Sequence, residues 1–135
     1  MIRSIEDLMS LSRGTLSDLV GFEVISAEPG KLFAQLRVRP DLLAGNGYLH
    51  AASVIALADS ACGFGTLVDL PDGAKGFTTI ELKSNFVGTC REGIITADAI
   101  RVHGGRSTQV WDATVRIETT GKTIALFRCT QMILM

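Results

Sequence analysis

A single carboxylate lies in the most apolar stretch of this sequence. Residues 47–68 read GYLHAASVIALADSACGFGTLV, and Asp59 is the one formal charge between Asp41 and Asp69. Burial of an unpaired charge is costly, so this side chain needs a partner, water or a shifted pKa. Either Asp59 reaches solvent or a neighbouring Arg from an otherwise buried helix, or it is held in a cleft for acid–base or nucleophilic chemistry.

The histidines and cysteines supply no second catalytic group within reach of Asp59 in the same chain. His50 comes nine residues earlier, which at about 1.5 Å per helical residue places it roughly 13 Å away. Cys62 is about 18 Å from His50 by the same measure, which favours a packing role over a thiol dyad. The other histidine and the other cysteines show no metal-ligand spacing, and the sequence has no P-loop, GxGxxG or GxSxG motif.

The start of the apolar helix is the second feature that could act on a substrate. Glycines in its approach, GNGYLHAAS, would let a substrate oxygen come close to backbone N–H groups that lack a helical partner. Those groups and the positive end of the helix dipole can stabilise an oxyanion. Asp59 is about 12 Å along the axis from that end, so both can act on one carbonyl only if they come from different subunits. Two antiparallel copies of the helix about a two-fold axis would bring them together.

The predicted elements place this helix against a sheet. The sequence predicts a helix over 4–20 interrupted at Gly14, a hairpin of strands over 21–28 and 31–39, the apolar helix over 51–68, and four strands over about 76–87, 93–103, 106–118 and 123–134. Gly63 and Gly65 within the apolar helix would let another backbone approach closely. An α+β fold, with an antiparallel sheet wrapped around a central helix, fits this order. One helix cannot cover both faces of a sheet, so self-association is expected.

Composition limits the function classes. A chain of 135 residues suits one domain over 1–135, and a net charge of −1 without basic runs argues against a nucleic-acid or membrane surface as partner. Three cysteines without framework spacing indicate free thiols in a reducing cytoplasm. The N-terminus does not resemble a signal peptide, and Asn46, His50 and Asp59 interrupt the longest apolar region, which argues against a membrane span.

From about residue 15 to its end, the sequence resembles the hotdog-fold acyl-CoA thioesterases of the phenylacetyl-CoA (PaaI-like) type. The H-G-G helix start and the acidic L-A-D segment of that family correspond here to 50–52 (HAA) and 57–59 (LAD), with the acidic residue nine after the histidine. The resemblance implies hydrolysis of an aryl or medium-chain acyl-CoA by a homodimer, or by a tetramer of two dimers. Coenzyme A would then be part of the substrate, with no separate cofactor and no metal.

The resemblance also implies roles for residues of the reaction site. Asp59 would be the general base or the nucleophile, and the backbone N–H of the partner subunit's Ala51 would polarise the thioester carbonyl. His50 would shape the helix end, and Thr79 matches a Ser/Thr position that orients the attacking water.

A second implied site is the turn GGRST, which resembles the turn that contacts the nucleotide and phosphates of CoA. The turn spans 104–108, and the residues that would contact CoA are Gly105, Arg106, Ser107 and Thr108. Arg106 is the natural phosphate partner there, although a solvated turn arginine is an equal alternative.

The sequence departs from the family pattern at the helix start. Ala51 and Ala52 replace the two glycines, which keeps the backbone N–H but adds methyl groups. The family often has an asparagine six residues before the histidine, but this sequence has Ala44 at that position. Asn46 therefore either takes the role of that asparagine or is a turn residue. Two other functions stay open: a non-catalytic acyl-CoA-binding module, and a hotdog dehydratase, whose H-F-P-G segment is absent.

Overall fold

A computed structural model describes residues 4–135, and its elements follow the order that the sequence predicts. The helices are α1 (Ile5–Ser12), α2 (Leu16–Leu19) and α3 (Ala51–Val68). The strands are β1 (Glu23–Glu28), β2 (Lys31–Arg37), β3 (Gly76–Phe86), β4 (Ile94–Gly104), β5 (Thr108–Ile117) and β6 (Thr123–Leu134). A 3₁₀ turn, Pro40–Leu42, lies in the loop before α3 and was not predicted.

The six strands form one antiparallel sheet in the order β1-β2-β4-β5-β6-β3. The sheet wraps around α3, which contacts all six strands. β3 follows α3 in the chain but lies at the far edge of the sheet, paired only with β6 in residues 4–135. The predicted α+β architecture, a sheet around a central helix, is therefore confirmed.

Alternation along the strands separates a face that packs on α3 from a face that meets solvent. In β5 the side chains of Trp111, Ala113 and Val115 are buried, as the period-2 pattern predicts. The residues between them, Asp112 and Thr114, are polar and lie on the outer face, where Arg128 of β6 pairs with Asp112. This division fixes the register, because a slip by one residue would turn the charged side chains inward.

Two glycines of α3 admit aromatic rings. A Cβ at Gly65 would lie 2.7 Å from the ring of Trp111, and a Cβ at Gly63 would lie 3.1 Å from the ring of Phe77. The predicted reason for these glycines, approach of another backbone, is therefore wrong. The space is needed by side chains of β5 and β3, which pack against the helix.

The sheet of one chain covers only one side of α3. The sequence predicts a helix buried nearly all round, but half-buried residues follow its side away from the sheet, among them Ile55 and Ala56. In residues 4–135, α3 is the one helix whose length and apolar composition would suffice to cross a membrane, yet its contacts are those of a core helix. An uncovered apolar side is what self-association would bury.

Candidate active site

Asp59 is half-buried in α3 and has no basic partner. The ion pairs found in residues 4–135 join other side chains, so a neighbouring arginine does not explain this carboxylate. Its Oδ1 is buried with no hydrogen-bond donor in the described residues. Burial raises the pKa of the Asp59 carboxyl above its usual range, because removal from water disfavours the charged form. The Asp59 carboxyl group therefore holds its proton more tightly than that of an exposed aspartate.

The carboxylate lines a small cleft between α2, α3 and β3. Its volume is about 190 Å³, and its walls combine two hydroxyls with aromatic and aliphatic side chains. The lining residues are Ser17, Asp59, Ser60, Gly63, Phe64, Leu67 and Phe77. Such a cleft, mostly apolar with one convergent acidic group, is the usual form of a small-molecule site.

The N-terminus of α3 leaves one backbone donor free. His50 is the N-cap, and its Nδ1 accepts the N–H of Ala52 at 2.9 Å, so the ring proton of the neutral imidazole lies on Nε2. The N–H groups of Ser53 and Val54 donate to the His50 carbonyl. The N–H of Ala51 finds no acceptor anywhere in residues 4–135. The His50 side chain therefore accepts the N–H of Ala52 and leaves the N–H of Ala51 available.

Asn46 is a turn residue in this structure. Its Oδ1 accepts the N–H of Tyr48 at 3.1 Å, and the preceding Ala44 N–H donates to the Tyr48 carbonyl at 2.7 Å. Gly47, with φ of +86°, completes the tight loop that leads into α3. The amide of Asn46 thus shapes the approach to the helix, and its oxygen is occupied.

Thr79 is joined to a residue that the sequence analysis missed. The Thr79 hydroxyl donates to Oε1 of Gln131 at 2.6 Å, across the β3–β6 pairing. Gln131 is 0% exposed, and its Nε2 is a buried donor without a partner in the described residues. The signal in the sequence was a polar residue at an inward position of β6, in line with Phe127 and Cys129.

The turn that joins β4 and β5 lies at the end of the sheet where Thr79 pairs with Gln131. The Gly105 N–H donates to the Thr108 carbonyl, and the Ser107 carbonyl accepts the N–H of Ile133. Ile133 pairs with Phe77, which lines the Asp59 cleft, so the turn and the cleft are joined through β6.

Arg106, in that turn, is exposed, and no ion pair in residues 4–135 includes it. Its guanidinium is therefore available to a ligand at the surface.

The thiols do not add chemistry to the cleft. Cys62 and Cys129 are buried, and burial and the neighbouring Cys129 raise the pKa of Cys62 well above its usual range. A thiol that keeps its proton is a packing group, not a nucleophile. In the part of the chain that the structure describes, no group of three or more histidine, cysteine or acidic side chains could hold a metal ion.

Known proteins share this architecture over most of the chain. The model of the thioesterase superfamily matches residues 46–124. The chain is 33% identical over 115 residues to the 1,4-dihydroxy-2-naphthoyl-CoA hydrolase of Listeria monocytogenes, an alignment that covers 85% of this chain and 92% of that protein.

Solved structures of thioesterases have the same fold as this chain. A mutant thioesterase of Pseudomonas aeruginosa superposes with a TM-score of 0.91 at 25% identity, covering 99% of this chain and 96% of that one. A thioesterase family protein of Silicibacter pomeroyi gives 0.83 at 28% identity, with 94% of each chain covered.

The wrapped helix, the hotdog fold and the matched residues define the class, and this chain belongs to the thioesterase superfamily. It is accordingly a thioester hydrolase. The matched span contains α3, Asp59, Thr79 and the turn at 105–108, whereas α1, α2 and the first hairpin lie before it.

Proposed function

We propose that this chain hydrolyses an acyl-CoA thioester to a free acid and coenzyme A, with Asp59 of one protomer and the N–H of the partner subunit's Ala51 acting on the same carbonyl. The observation that carries the proposal is the state of Asp59, which lines a cleft half-buried, without an ion pair and with one oxygen unpartnered. A carboxylate of raised pKa in a cleft suits a base or a nucleophile.

Two routes use the same carboxylate, and both consume one water. As a base, Asp59 takes a proton from water while the water oxygen bonds to the carbonyl carbon; the C–S bond then breaks, and the thiolate of CoA takes up the proton. As a nucleophile, a carboxylate oxygen attacks the carbonyl carbon and expels the thiolate. The mixed anhydride that results is opened by water, which regenerates Asp59 and releases the acid.

The oxyanion of either route would be stabilised by the free N–H of Ala51, which one chain cannot bring to its own Asp59. The free N–H of Ala51 begins the helix, eight residues and about 12 Å along the axis from Asp59. A two-fold dimer with antiparallel α3 helices would bring each carboxylate to the free N–H of its partner's helix. The N–H and the helix dipole would then stabilise the negative charge as it develops.

Two surfaces support such a dimer. β3 is an edge strand of eleven residues, and apolar side chains stand exposed along it or just beyond it: Ile80, Leu82, Phe86 and Val87. An exposed, apolar edge strand is a template for pairing with another chain. The half-covered side of α3 adds a second apolar surface. A homodimer that buries both is the smallest assembly that completes the proposed site.

Thr79 is proposed to orient the attacking water. Its proton is donated to Gln131, so within the site its oxygen can only accept a hydrogen bond. A water that donates one proton to Asp59 and the other to Thr79 would direct its lone pair at the carbonyl carbon.

The acyl group is proposed to be aryl rather than a medium-length alkyl chain, and the CoA arm to leave past Arg106. Phe64 and Phe77 line the cleft, and aromatic walls suit a flat ring. The Listeria relative is named for an aryl-CoA substrate. Arg106 is exposed at the turn that β6 connects to the cleft wall, and its guanidinium would pair with the phosphates of CoA.

Release of the CoA thiol from a panel of acyl-CoA esters tests the proposal. We expect Asp59→Ala and Asp59→Asn to lower kcat by about 10²–10⁴-fold with a smaller change in KM. Thr79→Ala removes an orienting hydroxyl and not the base, so its loss of kcat should be milder. Wild-type activity in Asp59→Ala would refute the mechanism, and tight binding of the esters without turnover by the wild type would favour a binding module.

A further inference from the structure

One wall of the Asp59 cleft comes from a segment outside the residues that match the family model. Ser17, in α2, and Ser60, in α3, both line the cleft, and one hydroxyl donates to the other over 2.8 Å. Ser60 directly follows Asp59 in the chain. The short helix α2 therefore closes the cleft immediately beside the carboxylate.

Apart from that contact, α2 is held at its end, where the Arg39 guanidinium donates to the Leu19 carbonyl. The helix buries none of its four residues, and Leu16 and Leu19 are 65% and 69% exposed. Glycines with positive φ flank it, Gly14 at +75° and Gly21 at +81°. A segment with so little buried apolar surface is expected to open at low cost in free energy.

Two contacts join the segment around α2 to α3: a hydrogen bond and a stacked pair of rings. The Ser17–Ser60 bond is the one side-chain hydrogen bond between α2 and α3 in residues 4–135. Just after α2, Phe22 is buried and stacks on Phe64 with ring centroids 5.3 Å apart. The chain is therefore anchored at Phe22 and, through Arg39, at Leu19, whereas the hydroxyl pair holds the Ser17 side of α2 against the cleft.

We propose that the Ser17–Ser60 hydrogen bond is a latch that holds α2 against the cleft and thereby limits the size of the acyl group. The inference rests on the proposed function. With the latch closed, the cleft measures about 190 Å³, and an apolar cavity of about 150 Å³ is enough to hold benzene. The latched cleft thus suits one aromatic ring, whereas a fused bicyclic acyl group requires α2 to move outward. Ser17 is a positioning residue and does not touch the reacting atoms.

The test is a selectivity ratio: kcat/KM for 2-naphthoyl-CoA divided by kcat/KM for phenylacetyl-CoA. Loss of a neutral hydrogen bond should raise the ratio about three- to tenfold in Ser17→Ala and equally in Ser60→Ala. The double variant should add nothing, because both single changes break the same bond. Ser17→Thr keeps the hydroxyl and should keep the wild-type ratio.

Ser10→Ala is the matched control, since Ser10 is an exposed helical serine of α1 that bonds only to its own turn. A ratio that stays at the wild-type value in both Ser17→Ala and Ser60→Ala, even with a lowered Tm, would overturn the latch. If Ser17→Ala does not fold, the ratio measured for Ser60→Ala alone tests the latch. Failure of the wild type to hydrolyse either ester would instead overturn the proposed function and the latch with it.

Discussion

The cleft beside α3 explains why a charged residue, Asp59, lies in so apolar a segment. The carboxylate faces a cleft, has no basic partner in the described residues and keeps one oxygen without a donor. Such a group costs stability, because ionisation in a desolvated place is unfavourable. Buried polar atoms without partners are rare, and another of them, Nε2 of Gln131, belongs to the partner of Thr79. We interpret this unfavourable environment as the source of the basicity that the reaction needs.

The raised pKa of Asp59 predicts the pH dependence of activity. Both proposed routes need the ionised carboxylate, so kcat/KM should rise with pH as Asp59 loses its proton. Because burial raises the pKa, the midpoint of this acid limb should lie above the value of about 3.9 for a free aspartate. An acid limb at or below that value would contradict the assigned environment of Asp59.

The same shift predicts that Asp59→Asn stabilises the folded chain at neutral pH. A carboxyl with a raised folded-state pKa favours folding when protonated, below its unfolded-state pKa, and that contribution is lost as pH rises through the folded-state pKa. Asparagine carries no charge at any pH. Thermal denaturation should therefore give Asp59→Asn a higher Tm than the wild type at pH 7, and the difference should shrink towards pH 4.

At this scale the sequence revealed Asp59 but not Gln131. Asp59 is conspicuous because it is charged among apolar neighbours, and its cost could be argued before any fold was known. Gln131 is an ordinary polar residue in a strand, and its partner, Thr79, is 52 residues away in the chain. Only the β3–β6 register places the two side by side.

At the scale of elements, the start of α3 offers one backbone donor without an acceptor in the described residues. His50 caps the helix through Nδ1, and the one N–H left free is that of Ala51. Alanine in place of the family's glycine keeps this donor.

Ala51→Pro removes that donor and little else. Ala51 is the first residue of α3, a position where proline is well tolerated, and His50 before it is already extended, with φ of −66° and ψ of 136°. We expect kcat to fall about 10²–10³-fold, the usual cost of one oxyanion donor. Ala51→Ser keeps the N–H and is the control. Full activity in Ala51→Pro would exclude this group from the reaction.

Local patterns predicted the elements well but not their neighbours. The apolar helix begins and ends at the predicted residues, 51 and 68, because a glycine-rich loop precedes it and a Pro-Asp-Gly turn follows it. The last four strands agree with the predicted ranges to within two residues. Alternation shows which face of a strand is inward but not which strand lies beside it, so the place of β3 at the far edge was not predicted.

At the scale of the whole molecule, the proposed mechanism needs a second copy of the chain. Its Asp59 and its own Ala51 N–H are about 12 Å apart along one helix, and the apolar side of α3 and the edge of β3 are uncovered. The proposed two-fold dimer would resolve both features at once, since it would cover the apolar surfaces and pair each carboxylate with a helix start from the other chain.

The most direct measurement is activity after mixing two inactive variants. Asp59→Ala and Ala51→Pro protomers are unfolded together, refolded in equal amounts and assayed for thioester hydrolysis. A hybrid dimer has one site with both groups intact and one with neither, and hybrids form half of the dimers, so the account predicts recovery of about one quarter of wild-type activity. No recovery, with hybrid dimers shown to form, would mean that the two groups do not meet across the interface.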